Sequence, residues 1–342
     1  MTIDLTGGID PGRELILAAR PEEDGIRDAV NVWIEADDGA FGMRIGIEAL
    51  AEEWDAHDVW LDVAFADGRV LSLRDRFQPH SAIDEQGQAT VRGAGPVRFQ
   101  CIEPFRLWTI NFKGQAAVTS ATDLIEEVWP DDPSMAAVEF DIEMSMAVPP
   151  WASGTLLKEA GASLKGEQGQ FMSPRYEQLF RARGSLQIND EIHNFTACGL
   201  RIRRQGFRKF EGFWGHCWQS AVFPSGRAFG FNVYPPAPDG STSFNEGFIF
   251  TGEGALIPAR VVEAPWLVRL NASGDDVPVV LETDQERITI AGTSFINLRS
   301  RAHVQLPPDF PIIQQSHVRF QWDNEVSVGM MERSSMPSKM EL

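Results

Sequence analysis

The sequence predicts an all-β protein of two antiparallel barrels joined end to end. Three observations carry that expectation. Strand-like segments follow one another along most of the chain, short turn signals separate them, and the chain matches itself at a nearly constant offset. Two strongly curved sandwiches would fit the same pattern, but closed barrels leave no exposed strand edges.

In chain order the strand-like segments are "VNVWIEADDGAFGMRIGIEAL", "DVWLDVAFADGRVLSLRD", "FRLWTINFKGQAAV", "AVEFDIEMSMAV", "RAFGFNVY", "FNEGFIFTGEG" and "VRFQWDNEVSVGMME". Asp-Gly and Ser-Gly pairs break them at turn positions. The one stretch read as helix is "SPRYEQLFRARG".

The self-matches run in the same order in both halves. "GMRIG" at Gly42 recurs as "GLRIR" at Gly199, "WLDVAFADGR" at Trp60 as "WQSAVFPSGR" at Trp218, and "IEPFRLWTINFKG" at Ile102 as "VEAPWLVRLNASG" at Val262. The offsets are 157, 158 and 160 residues. A duplication follows, with a first barrel over residues 1–160 and a second over 161–342, Trp60 falling over Trp218 and Arg69 over Arg227. The join is expected in residues 148–174, where prolines, glycines and polar residues interrupt the alternation.

Composition narrows the function. A chain of 342 residues is longer than one hydrophobic core usually serves. The formal charge of -19 repels phosphate backbones and anionic lipid surfaces, so nucleic acid is not an expected partner. No apolar run is long enough to span a membrane, and "MTIDLTGGIDPGRELIL" lacks the basic start and apolar core of a signal peptide, which makes a soluble cytoplasmic protein the expectation. Cys101, Cys198 and Cys217 are widely spaced and fit reduced thiols. The six histidines form no H-x-x-x-H pair, and nucleophile-elbow, Walker and dinucleotide fingerprints are missing; no metal and no cofactor are expected.

The stretch "GFRKFEGFWGHCW", Gly206 to Trp218, draws attention because neither face is cleanly polar when it is read as a strand. Phe210, Phe213, Trp214 and Trp218 can wall a cavity for a large apolar ligand or pack as ordinary core. Arg208, Glu211 and His216 lie among these rings, where polar groups are costly to bury without a partner or purpose. His193, beside Asp190 and Glu191, is a further polar contact, and the run "RIRRQGFRK" offers either an anion site or salt bridges.

"FGMRIGIEALAEEWDAHDVWLDVAFADGRVL", "AGPVRFQCIEPFRLWTINFKG" and the "SVGMMERS" ending resemble an uncharacterised bacterial branch of the AttH and carotenoid 1,2-hydratase-like superfamily. The resemblance covers most of the chain. It implies a tandem of two lipocalin-like β-barrels and leaves the reaction open, since the superfamily includes hydratases, fungal Diels-Alderases and members with no known reaction. Many relatives carry an H-x-W-G signature where this chain reads "GFWG", with Gly212 in place of the histidine.

The expected function is that of a cofactor-independent enzyme, a hydratase, lyase or isomerase, acting on an apolar terpenoid, steroid or polycyclic aromatic molecule. A non-catalytic carrier of a hydrophobic ligand and a pericyclase-like enzyme are the alternatives, and homo-oligomerisation is left open. In the hydration reading Glu211 is the proton donor, His216 orients or deprotonates water, and Trp214 and Trp218 stabilise a cation. Arg208, Phe210 and His193 complete the expected ligand contacts.

Overall fold

The computed structural model describes residues 3–165, 171–172, 174–210, 212–237, 240–301, 306–307 and 309–341. The first part of the chain forms β1 (Ile26–Ala36), β2 (Phe41–Leu50), β3 (His57–Phe65), β4 (Arg69–Phe77), β5 (Val91–Ala94), β6 (Val97–Glu103) and β7 (Leu107–Ser120). A short helix α1 (Ala121–Ile125) precedes β8 (Met135–Met146), β9 (Trp151–Ala152), helix α2 (Lys158–Ser163), β10 (Arg175–Ile188) and β11 (Glu191–Phe207). The second part contains β12 (Gly215–Val222), β13 (Ala228–Val233), β14 (Asn245–Phe250), β15 (Ile257–Glu263), β16 (Val279–Glu282), β17 (Arg287–Arg299), β18 (Ile312–Trp322) and β19 (Glu325–Ser335).

The protein is all-β and its sheets are antiparallel. The first sheet runs β4-β3-β2-β1-β11-β10-β8-β7 and closes on itself where β4 pairs with the end of β7, Arg69–Ser72 against Ala117–Ser120. β5 and β6 extend it from the other part of β7. The second sheet is a closed barrel of β12 to β19 in sequence order. Both barrels have packed interiors: Val30, Val32, Ile45, Leu61, Phe99 and Phe140 fill the first, and Phe229, Phe231, Val318, Phe320 and Met331 the second.

The division between sheets corrects the expected domain boundary. Strands β10 and β11 lie beyond residue 160 but hydrogen-bond to β8 and β1, so they complete the first barrel. The chain crosses to the second barrel between Phe207 and Gly215. The described residues between them, 208–210 and 212–214, carry no strand, so β11 and β12 are separate strands of different barrels. Gly206, Gly212 and Gly215 have φ of +147°, +73° and +127°, values that side chains larger than glycine's rarely adopt.

The helix expected over "SPRYEQLFRARG" is strand: Arg175–Ile188 pairs along β11 on one side and with β8 and β9 on the other. Glu, Gln, Leu and Arg favour helix only weakly, and a two-sided ladder with burial on both faces overrides that preference.

The self-matches divide in the same way. Trp60 and Trp218 are each the fourth residue of their strands, β3 and β12, and Arg69 opens β4 while Arg227 directly precedes β13. Gly42 and Gly199, however, stand in β2 and β11 of the same barrel, and the strand β7 matches a stretch after Val262 that is largely without strand.

The barrels pack wall against wall. β3 and β12 are buried at every position, whereas β8, which faces solvent on its outside, alternates exposed and buried. Trp33, Leu200, Ile202, Trp218, Val222 and Met330 form the seam. The segment after β8, where the join was expected, straps across it: Trp151 Nε1 donates to Glu246 Oε2 of β14 at 2.7 Å, and the backbone amides of Gly154, Leu156 and Leu157 donate to the same carboxylate. Among the described residues no helix is long and apolar enough to cross a membrane.

Candidate functional site

A cavity of about 560 Å³ opens in the seam, with one side formed by the outer wall of the first barrel and the other by β12, β18 and β19. That volume suits a small-molecule ligand. The register shows how the first wall is built. Arg175, Arg204, Ala29 and Glu48 are successive cross-strand partners on β10, β11, β1 and β2, and Ile202, Asn31, Gly46 and Trp60 form the next row. In the third row Trp33 stands beside Arg44.

Two glycines of "GMRIG" make this wall possible. A Cβ on Gly46 would overlap the Trp60 indole, so glycine lets that ring lie across β2. A Cβ on Gly42 would overlap the His317 ring, which reaches over from β18. His317 Nδ1 lies 2.6 Å from Glu35 Oε2, a buried pair joining the barrels away from the cavity. Burial raises the Glu35 carboxyl to about 7, with His317 opposing the rise.

The Arg44 guanidinium is held between Trp33 and Trp60, 5.1 and 5.5 Å from their ring centroids. Across the seam Trp218 meets Trp33 edge to face at 5.0 Å. Trp218 Nε1 donates to Glu177 Oε2 at 3.0 Å, and Arg175 pairs with the other oxygen at 2.7 Å. Phe171, Phe210, Phe310 and Trp129 add further rings around the cavity.

Glu332 of β19 supplies a carboxylate to the opposite side. Gln315 Nε2 donates to its Oε2 at 2.8 Å, and His216 Nε2 lies 3.2 Å from its Oε1. The other ring nitrogen of His216, Nδ1, is 3.2 Å from Ser334 Oγ. Burial alone would raise the Glu332 pKa, but His216, Arg44 and Gln315 outweigh it and bring it down to about 2. At the cations, burial prevails over the nearby carboxylates. Burial lowers Arg44 and Arg208 to about 10, and Arg204, with Arg208 and Arg175 close by, falls well below its ordinary value.

The structure brings together part of the expected site. Trp218, Arg208 and Phe210 line the cavity. His216 stands one side chain behind it, reaching it through Glu332. Trp214 does not line it: its Nε1 donates to Pro235 O at 3.0 Å and its ring packs on Tyr234. His193 lies elsewhere on β11, 41% exposed and 3.8 Å from Glu191. Trp214 precedes β12, on the chain that crosses between the barrels, and so does not share the wall that carries Trp218. Glu211 lies outside the described residues.

Trp33, Arg44, Trp60, Arg204 and Glu332 were not singled out as site residues. Two of them carried a signal: Trp60 aligns with Trp218 at an offset of 158, and Glu332 stands within "SVGMMERS".

Solved structures share this architecture. A protein assigned to AttH from Nitrosomonas europaea matches with a TM-score of 0.56 at 14% identity, over 93% of this chain and 95% of that one. CghA, solved with Sch210972, matches with a TM-score of 0.58 at 10% identity, over 94% and 95%. Kievitone hydratase from Nectria haematococca aligns over 94% and 93% at 10% identity, with a TM-score of 0.45. The likeness to the first two, at 14% and 10% identity, shows a shared fold, the tandem of lipocalin-like barrels. Comparison with curated protein sequences finds no match. The family model for a domain of unknown function, DUF7064, matches residues 28–337, and the chain belongs to that family.

Proposed function

We propose that the cavity between the barrels takes a mainly apolar small molecule of terpenoid, steroid or polycyclic aromatic type, and that the protein acts on it without a cofactor by moving a proton. Hydration, dehydration or isomerisation are the reactions in view. The observation that carries this reading is the Glu332 carboxylate, which faces a cavity walled by Trp33, Trp60 and Trp218 while His216 and Gln315 hold its two oxygens. In isomerisation Glu332 takes a proton from one carbon of the ligand and returns it to another, which moves the double bond and leaves Glu332 as it began, with His216 Nε2 3.2 Å from the carboxylate. In hydration a hydronium ion from solvent gives the ligand carbon its proton, the indole faces favour the cation so formed, and Glu332 takes the proton lost by the attacking water.

The carrier reading has one observation in its favour. A carboxylate held at about 2 is a weak base and, at neutral pH, no reservoir of protons. A pericyclase-like reaction, which needs shape and donors but no acid, is served by the same wall. The discriminating experiment incubates wild type and Glu332→Gln with a panel of such molecules in D2O. Deuterium incorporation or water addition by wild type, lost in the variant while binding persists, supports proton transfer. Binding of panel members with no exchange in wild type moves the assignment to the carrier.

A further inference from the structure

The charge of the cavity wall is out of balance. Around its first row stand Arg27, Arg175, Arg204 and Arg208, with Glu48 and Glu177 as the acids beside them. Each acid already has a cation: Glu48 pairs with Arg27, and Glu177 with Arg175. Arg204 and Arg208 are left without an ion pair within 4.0 Å among the described residues. Arg204 is 5% exposed and its Nη1 has no hydrogen-bond partner. It also sits directly opposite Arg175 in the β10–β11 ladder, a like-charge pairing that costs stability in the free protein. Arg208 uses its Nε on Phe171 O, and its guanidinium lies 4.4 and 4.8 Å from the Phe171 and Phe210 ring centroids.

A buried cation without a counter-ion is expensive, and a fold that only needed the strand would do better with an apolar residue there. The first barrel shows that this sequence can give buried arginines a counter-ion, even where some of their N–H groups, such as Arg201 Nε and Nη1, stay without a hydrogen bond. On the same strand Arg201 and Arg203 face inward and pair with Glu14 and Asp28. A ligand anion would supply the counter-ion that Arg204 and Arg208 lack among the described residues.

We propose that the cavity's ligand is an acid, whose planar oxyanion of the carboxylate class sits against Arg204 and Arg208 while its apolar body lies on Trp33, Trp60 and Trp218. This rests on the reading of the cavity as the ligand site and adds the polar end of the molecule. Guanidinium suits a carboxylate because two parallel N–H donors match its two oxygens. Glu332, with Gln315 and His216 on its oxygens, lines the same cavity and acts on Arg208 at longer range than an ion pair.

The test uses 1-pyrenebutyric acid and its methyl ester as probes, with binding followed by quenching of the tryptophans. The acid is expected to bind wild type about tenfold or more tightly than the ester, the scale of one charge-assisted contact. Arg204→Gln should lose most of that preference while leaving the ester's affinity unchanged. Its melting temperature without ligand should be no lower than that of wild type, so that lost binding is not lost folding. Equal affinities for acid and ester in wild type, or a preference that survives in both Arg204→Gln and Arg208→Gln, would overturn the acid but leave the cavity as an apolar site. Uptake of neither probe would overturn both.

Discussion

Strand β11 carries arginines to two regions of opposite character. Arg201 and Arg203 point into the first barrel, where each has a carboxylate counter-ion. Glu14 accepts from Trp108 Nε1 at 2.7 Å and from the Phe105 amide at 3.1 Å, pairs with Arg201 at 2.8 Å and is bonded by Tyr176. Asp28 is bonded by Arg92 and Arg203 and by the Leu17 amide at 2.7 Å. One residue further along, Arg204 points the other way, into the cavity, with no carboxylate within 4.0 Å among the described residues. Strand alternation thus sorts a single basic run into a closed structural network and an open site. A buried charge alone says little about function; a buried charge the protein leaves unpaired says more.

The sharpest break in this comparison is on the structural side. Asp28→Ala would strand Arg92, Arg203 and the Leu17 amide inside the barrel. Breaking a buried network by removing one partner costs about 3–5 kcal/mol, so chemical denaturation should show a loss on that scale or the variant should be insoluble. A loss below about 1 kcal/mol would mean that the network is not what holds the N-terminal segment in place.

Glu35 tests whether the seam away from the cavity behaves as structure too. Its folded pKa, about 7, lies above the ordinary 4.5, so the protonated form is the one favoured by folding. The stabilisation is complete below about 4.5 and is lost as pH rises through about 7. Between those limits the change approaches roughly 3 kcal/mol. Glu35→Gln keeps a polar group opposite His317 and removes the titration, so its melting temperature should vary less than that of wild type between pH 5 and pH 8. Parallel curves would show that Glu35 does not titrate there. Gly42→Ala probes the same seam by size: the added methyl meets the His317 ring, and overpacking of this kind costs about 1–3 kcal/mol.

The sequence made the strands and the two-barrel plan legible because turn signals and alternation are local. Where the barrels exchange strands was not legible. β10 and β11 pair with β8 and β1 across long stretches of chain, and no local signal distinguishes that from pairing within a second copy. The mixed faces of "GFRKFEGFWGHCW" did point to something unusual, but the cause was a crossover and a buried seam. Both sides of β12 are covered, one by its own barrel's core and one by the neighbouring wall. Trp218, Arg208 and Phe210 were found because they lie in or beside that crossover. Arg204 was visible only as part of a charge run, since separating it from Arg203 requires knowing which face of β11 meets the seam.

Arg204 gives the smallest effect and the most direct test, because its sign should be opposite to that of Asp28. Replacing Arg204 with Met removes a cation that has no ion pair among the described residues and stands across from Arg175, and puts a flexible apolar side chain beside Ile202 and the cavity rings. Exchange of buried ionic groups for apolar ones is often neutral or stabilising, and here no partner is left stranded. The expected result is a gain of about 1 kcal/mol in the ligand-free protein, or a few degrees in melting temperature. Stability gained by removing a functional group is the usual mark of a site that trades stability for binding. Saturating acid probe should reverse the order, because wild type gains binding energy that the variant cannot. If Arg204→Met is instead destabilised as strongly as Asp28→Ala, Arg204 belongs with Arg201 and Arg203 in the framework, and the contrast along β11 is one of geometry alone.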